Sequence, residues 1–162
     1  MLVQPPVRMI AMVNVIRIAL CLLLAASIGL PQVSQATDCL MIRGEEPDRV
    51  LVSVPIEAGS LFCLEFINSI YLAPVKEIYM YEPAKGISIV KVESPSAGVF
   101  EYYGLVPDNS GSAAVSLTVK EMRLRSHDYK NHTITVNDRK IGLKGLVQDG
   151  QPLIVRIGVC GK

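Results

Sequence analysis

Apolar residues in this chain recur at every second position in short runs, and clusters of Pro, Gly, Asn and Asp separate the runs. A period of two places alternate side chains on one face of an extended segment, the pattern of a half-buried strand. The runs are Arg49–Pro55, Leu61–Ile67, Val75–Tyr81, Gly86–Val92, Ala114–Arg125, Thr133–Val136, Lys140–Leu143 and a last one from Leu153 to Val159. The punctuation is Glu57-Ala-Gly59, Pro83-Ala-Lys-Gly86, Pro95-Ser-Ala-Gly98, Pro107–Gly111, Asn137-Asp-Arg139 and Asp149-Gly150. Proline presets φ and glycine admits positive φ, so these clusters read as turns. No sustained helical period occurs beyond the first 36 residues, and Pro95–Gly111 is the longest stretch without a clear pattern. About nine short strands predict an all-β domain, mostly antiparallel, of sandwich or barrel type.

Parity assigns the core. Val52, Val54, Phe62, Leu64, Phe66, Ile78, Met80, Leu117, Ile134, Val136, Val155 and Ile157 are expected inside. On the same rule Glu77, Tyr79 and Tyr81 take the opposite face of their strand, towards water. Met122 and Leu124 continue on the other parity from Val119, which predicts a bulge or turn near Lys120-Glu121.

Residues 1–36 read differently. Arg8 and Arg17 precede an apolar run from Ile18 to Leu30, Pro31 breaks it, and Ser34-Gln-Ala36 supplies small residues for a signal peptidase. The run between Arg17 and Pro31 is shorter than the ~20 residues a spanning helix needs. The expectation is a signal peptide over 1–36, cleaved after Ala36, with an all-β domain over 37–162 and a periplasmic or secreted location. Met9 and Met12 are alternative starts. Cys21 follows Leu20 and Cys39 follows Asp38, so no lipid-anchor pattern fits. Membrane contact is expected only through the signal peptide or a partner.

Loss of Arg8 and Arg17 from 16 basic residues leaves the body slightly acidic against 15 carboxylates. With no basic stripe, nucleic acid is not expected as a partner. Cys39, Cys63 and Cys160 remain in the body, where three pairings each leave one thiol over. A Cys39–Cys160 bridge would close the longest loop and is the one singled out. No Cys-x-x-C pair supports a zinc knuckle or a redox motif.

The densest polar cluster lies in Phe66-Ile-Asn-Ser-Ile-Tyr-Leu-Ala-Pro-Val-Lys-Glu-Ile-Tyr79, which joins two strands. Asn68, Ser69, Pro74, Val75, Glu77 and Tyr79 are the candidate ligand- or partner-binding residues here, with Gly98 further on. The alternative is that Asn68 and Ser69 satisfy turn backbone, Pro74 starts a strand and Glu77 faces water.

The same residues resemble the domain-of-unknown-function family 1850 of small exported bacterial proteins. The resemblance rests on Cys39-Leu40, Val54-Pro55, Gly59-Ser-Leu-Phe62, Asn68-Ser-Ile-Tyr-Leu-Ala-Pro-Val-Lys-Glu77 and Ser96-Ala-Gly98. Its most specific part is the spacing of Ser69, Pro74, Val75 and Glu77. Where the family pattern has His, this chain has Asn68, and where it has Thr, this chain has Ala73. Asparagine exchanges hydrogen bonds but shuttles no proton near neutral pH. The resemblance implies a non-catalytic accessory or binding role beside TRAP-type (tripartite ATP-independent periplasmic) solute uptake, with a transporter permease or solute receptor as partner. No cofactor is implied.

His127, Asp128 and His132 form the only cluster containing histidine. They support an alternative reading, a hydrolase or metal-dependent enzyme using His127 or His132, with Ser69 as a nucleophile if the fold brings it near. No Gly-x-Ser-x-Gly elbow or phosphate-binding glycine loop accompanies it. A structural domain binding a cell-envelope partner through a sheet edge is the third reading. Asn131-His-Thr133 matches a glycosylation acceptor, relevant only to a eukaryotic secretory route.

Overall fold

Among the described residues ten strands and one short helix follow in chain order: β1 Asp38–Gly44, β2 Arg49–Pro55, β3 Leu61–Asn68, β4 Ala73–Glu82, β5 Gly86–Glu93, α1 Ala97–Tyr103, β6 Ser112–Val119, β7 Glu121–Leu124, β8 Thr133–Val136, β9 Arg139–Gly142 and β10 Leu153–Val159. They belong to a computed structural model that describes residues 37–161. The expected signal peptide and its cleavage point lie outside the described residues.

The strands form two antiparallel sheets, one of four in the order β2-β1-β10-β7 and one of six in the order β6-β5-β4-β3-β8-β9. The two pack face to face over one apolar core, so the expected sandwich is what forms. Leu40, Ile42, Val54, Met122, Leu153 and Val155 come from the first sheet, and Phe62, Leu64, Val75, Ile87, Val92, Ile134 and Val136 from the second. Val52, Phe66 and Ile157 pack against this core half-buried.

The turn chemistry explains the hairpins. Asn137 and Asp138 both take positive φ, 47° and 61°, and link β8 to β9 through two residues. Two left-handed residues match the twist of paired strands, which is why Asn-Asp stands there. At Lys120 the chain leaves the six-stranded sheet and β7 joins the four-stranded one. The parity change near Lys120-Glu121 is therefore a transfer between sheets.

Cys39 and Cys160 are disulfide-bonded across 121 residues of chain, with Cα atoms 5.1 Å apart. Cys39 is the second residue of β1 and Cys160 follows β10, its neighbour in the sheet. Cys63 is the free thiol among the described cysteines.

Three expectations need correction. First, β4 is reversed: Val75, Glu77, Tyr79 and Tyr81 are buried, while Ile78 and Met80 lie half-buried on the outer face. The register gives the reason. Phe62 sits opposite Tyr79, Leu64 opposite Glu77 and Phe66 opposite Val75, and directly opposed residues share a face. Secondly, Leu117 is 57 % exposed. It lies on β6, the outermost strand of the wider sheet, beyond a register shift opposite Ile89–Lys91. Likewise, a shift in the β1–β2 pairing leaves Val50 exposed and brings Leu51 against the core.

Thirdly, the unpatterned stretch after Pro95 contains a helix, α1, that buries Val99 and Phe100. Gly104 ends it at φ 67°, with Gly104 N–H donating to the Glu101 carbonyl and Leu105 N–H to that of Phe100. This paired closure with a left-handed glycine is a common helix stop. Among the described residues no helix is long and apolar enough to cross a membrane.

Candidate functional site

The connection between β3 and β4 organises the site. Asn68 ends β3 buried, and its Oδ1 accepts hydrogen bonds from the backbone N–H of Ile70 (2.9 Å) and of Tyr71 (3.1 Å). Both donors would otherwise point into a turn without partners, a role asparagine fills through its short amide arm. Leu72 then takes positive φ, 51°, and Ala73 pairs with Asn68 to begin β4. Ile70, Tyr71 and Leu72 are left exposed at the tip.

Gly98 lies beneath this tip. A Cβ there would meet Cε1 of Tyr71 at 2.3 Å, so the ring rests directly on the first turn of α1. Gly98 is thus a platform for Tyr71. Pro74 and Val75 diverge: the Pro74 carbonyl accepts from Ser94 Oγ at 2.9 Å, and the Val75 side chain is in the core.

Glu77 is 8 % exposed in the middle of β4. Its Oε2 accepts from the Tyr79 hydroxyl at 2.6 Å and its Oε1 from the Tyr103 hydroxyl at 2.5 Å. Tyr79 stacks on Phe62, with ring centroids 5.1 Å apart. Tyr103 is the last residue of α1, so this carboxylate ties the helix to the sheet. Burial, and after it the charge of Glu77, pushes both phenols well above their ordinary range, so both stay protonated and donate. On the same strand the Tyr81 hydroxyl bonds Asp38 of β1, joining the two sheets.

A cavity of about 660 Å³ opens beside this carboxylate. Phe66, Asn68, Ser69, Glu77 and Tyr103 line it together with Arg123, Arg125, His127 and His132. Arg123 pairs with Glu45 at 2.7 Å. His132 stacks on Phe66 (5.7 Å, 10°) and meets Tyr129 edge-on (5.3 Å, 73°). Its Nδ1 is buried and has no hydrogen-bond partner. Burial lowers the His132 pKa below the ordinary histidine value, with the nearby Asp128 charge opposing the shift. The Tyr129 hydroxyl, shared between the carbonyls of Leu124 (2.8 Å) and Gln151 (2.9 Å), fixes the wall behind it.

The structure therefore gathers Asn68, Ser69, Glu77, His127 and His132 around one cavity, with Tyr79 behind Glu77 and Gly98 under the tip. Pro74 and Val75 border a separate groove of about 870 Å³ with Lys76 and Lys130. No hydrogen bond joins Ser69 to either histidine, and among the described residues no three His, Cys, Asp or Glu side chains converge as a metal site. Sequence reasoning missed Phe66, Tyr103 and Arg125. The start and stop marks Pro95-Ser96 and Gly104 flank the helix that delivers Tyr103, and they were the available signal.

Chemically, the site offers a carboxylate whose two oxygens are already engaged, a neutral imidazole with one open nitrogen, and a guanidinium at the rim. Fold and site together define a two-sheet antiparallel sandwich with a polar cavity between its sheets and a tyrosine-held carboxylate at the cavity wall. Comparison with protein-family models, with curated proteins and with solved structures finds no match to this chain.

Proposed function

We propose that this chain is a non-catalytic binding or accessory domain, exported behind a leader cleaved after Ala36 and working in the periplasm. Its contact region is the cavity framed by Asn68, Ser69, Glu77 and His132. The observation that carries this reading is the engagement of both Glu77 oxygens by Tyr79 and Tyr103. A general acid or base must be free to exchange its proton with a substrate, and this carboxylate serves instead to hold α1 and the cavity wall. Asn68 is likewise occupied with turn backbone. The Cys39–Cys160 bridge fits an oxidising compartment.

The resemblance of Asn68–Glu77 to the exported family described above extends the proposal to a partner: the permease or solute receptor of a TRAP-type uptake system. Affinity purification of the tagged chain at native expression tests it. Recovery of a transporter component, lost in a Glu77→Leu variant that still folds, is expected. Recovery of neither permease nor receptor overturns the transporter assignment. Turnover in a hydrolase screen that disappears with His132→Gln would overturn the non-catalytic reading.

A further inference from the structure

Exposed large apolar side chains are concentrated in two segments. Ile67 comes from the end of β3 and Ile70, Tyr71 and Leu72 from the β3–β4 connection, and Tyr102 and Val106 from the end of α1 and the loop after it. Ile70 is 64 % exposed, Leu72 80 % and Tyr102 63 %. The segments touch, because the Tyr71 ring rests on Gly98, and Ile67, Ile70 and Tyr102 border one cavity. Contiguous apolar surface of this kind marks a contact site.

We propose that this tip docks on an anionic lipid surface, with Ile70, Tyr71 and Leu72 entering the headgroup region. Three observations select a bilayer as the occupant. Basic side chains lie on the side of the tip next to β3: Arg123 and Arg125 share the cavity with Ile67 and Ile70, and Lys76 and Lys130 share a second groove with Ile67. Among the described residues Arg125, Lys76 and Lys130 form no ion pair. Ile67–Leu72 and Tyr102–Val106 contain no acidic residue; Glu101 and Asp108 flank the second, and the groove's Glu65 and Glu93 are paired with Lys140 and Lys91. Basic residues beside an apolar insert complement anionic headgroups.

The second observation is the backbone. Asn68 already accepts from the N–H of Ile70 and Tyr71, so the tip can leave water without stranding those donors. The third is composition: Tyr71 and Tyr102 carry an apolar ring with a polar end, the side-chain type enriched at membrane–water interfaces. A shallow insertion would hold the domain against the bilayer that contains the transporter proposed above, and it stands independently of that assignment.

The chain contains no tryptophan, so Ile70→Trp supplies a single emitter at the tip and Tyr102→Trp a second one on the helix. Each is mixed with vesicles of phosphatidylglycerol and phosphatidylcholine, or of phosphatidylcholine alone, and circular dichroism verifies the fold. A blue shift is expected on the anionic vesicles only, reversed by salt. Leu72→Ser should weaken binding about tenfold, the effect of one buried leucine, and Arg125→Ser with Lys130→Ser should weaken it on anionic vesicles. No shift with either vesicle, or Leu72→Ser binding as tightly as the parent chain, overturns the proposal. A shift produced only by a purified transporter component overturns it in favour of a protein partner.

Discussion

At the scale of single residues, the site depends on side chains that complete one another's hydrogen bonds or shape. Gly98 and Tyr71 form such a pair, because a methyl group at 98 would stand 2.3 Å from the ring. Gly98→Ala should cost about 0.5–1.5 kcal/mol by displacing that ring. In a Tyr71→Ala background the same change should instead gain about 0.5–1 kcal/mol, the usual advantage of alanine over glycine within a helix. Urea melts of the four chains test this, and one sign in both backgrounds would show that the contact carries no energy. His132 makes a pH prediction. Its pKa is lowered in the folded chain, so the unfolded chain takes up the proton first as pH falls. Its contribution is full above about 6.5, the ordinary histidine value, and is lost as pH descends from there through the folded-state value. The midpoint of unfolding should fall over that window, and His132→Phe should flatten this part of the profile while keeping the stack on Phe66.

At the scale of elements, α1 is too short to stand alone. Isolated helices of this length are marginal in water, so its order comes from Val99 and Phe100 in the core and from the Tyr103–Glu77 bond. Tyr103→Phe removes one donor from a buried carboxylate and should cost about 1–3 kcal/mol. Hydrogen exchange over Ala97–Tyr103 should speed up while β4 stays protected; unchanged exchange in the helix would mean that the bond does not hold it. The strands give a second contrast. Phe62 is buried and stacked on Tyr79, whereas Leu117 stands at the sheet margin. Phe62→Ala should cost about 3–5 kcal/mol, and Leu117→Ala should fall within about 0.5 kcal/mol of the parent. Equal losses would mean that β6 is covered in solution.

At the scale of the whole molecule, the disulfide ties the first strand to the end of the last. Because β1 lies between β2 and β10, it fixes the centre of the four-stranded sheet. The loop spans 121 residues, so the chain-entropy account allows a stabilisation of up to about 4–5 kcal/mol. Replacing Cys39 and Cys160 together by serine should lower the denaturation midpoint accordingly without altering the native circular dichroism. A change below about 1 kcal/mol would show that the reduced chain keeps its ends together by other means. The antiparallel pairing of β1 with β10 is one such means.

The period-two pattern and its turn residues determined the all-β class, nearly every strand, the β8–β9 turn and the chain's change of course at Lys120, because those signals are local. Asn68, Ser69 and Glu77 were also legible as one polar cluster and His127 and His132 as another, although nothing in the sequence said that the two meet. Only the tertiary structure decided which face of β4 is inside. Glu77, Tyr79 and Tyr81 look like a solvent face until the opposing strand and the helix supply Phe62 to stack on and Tyr103 to donate. A buried polar group is tolerated when its partners are present, and those partners lie in other segments of the chain. The same reason separates Leu117 from the core: alternation sets a side chain's direction, whereas burial depends on what packs above it.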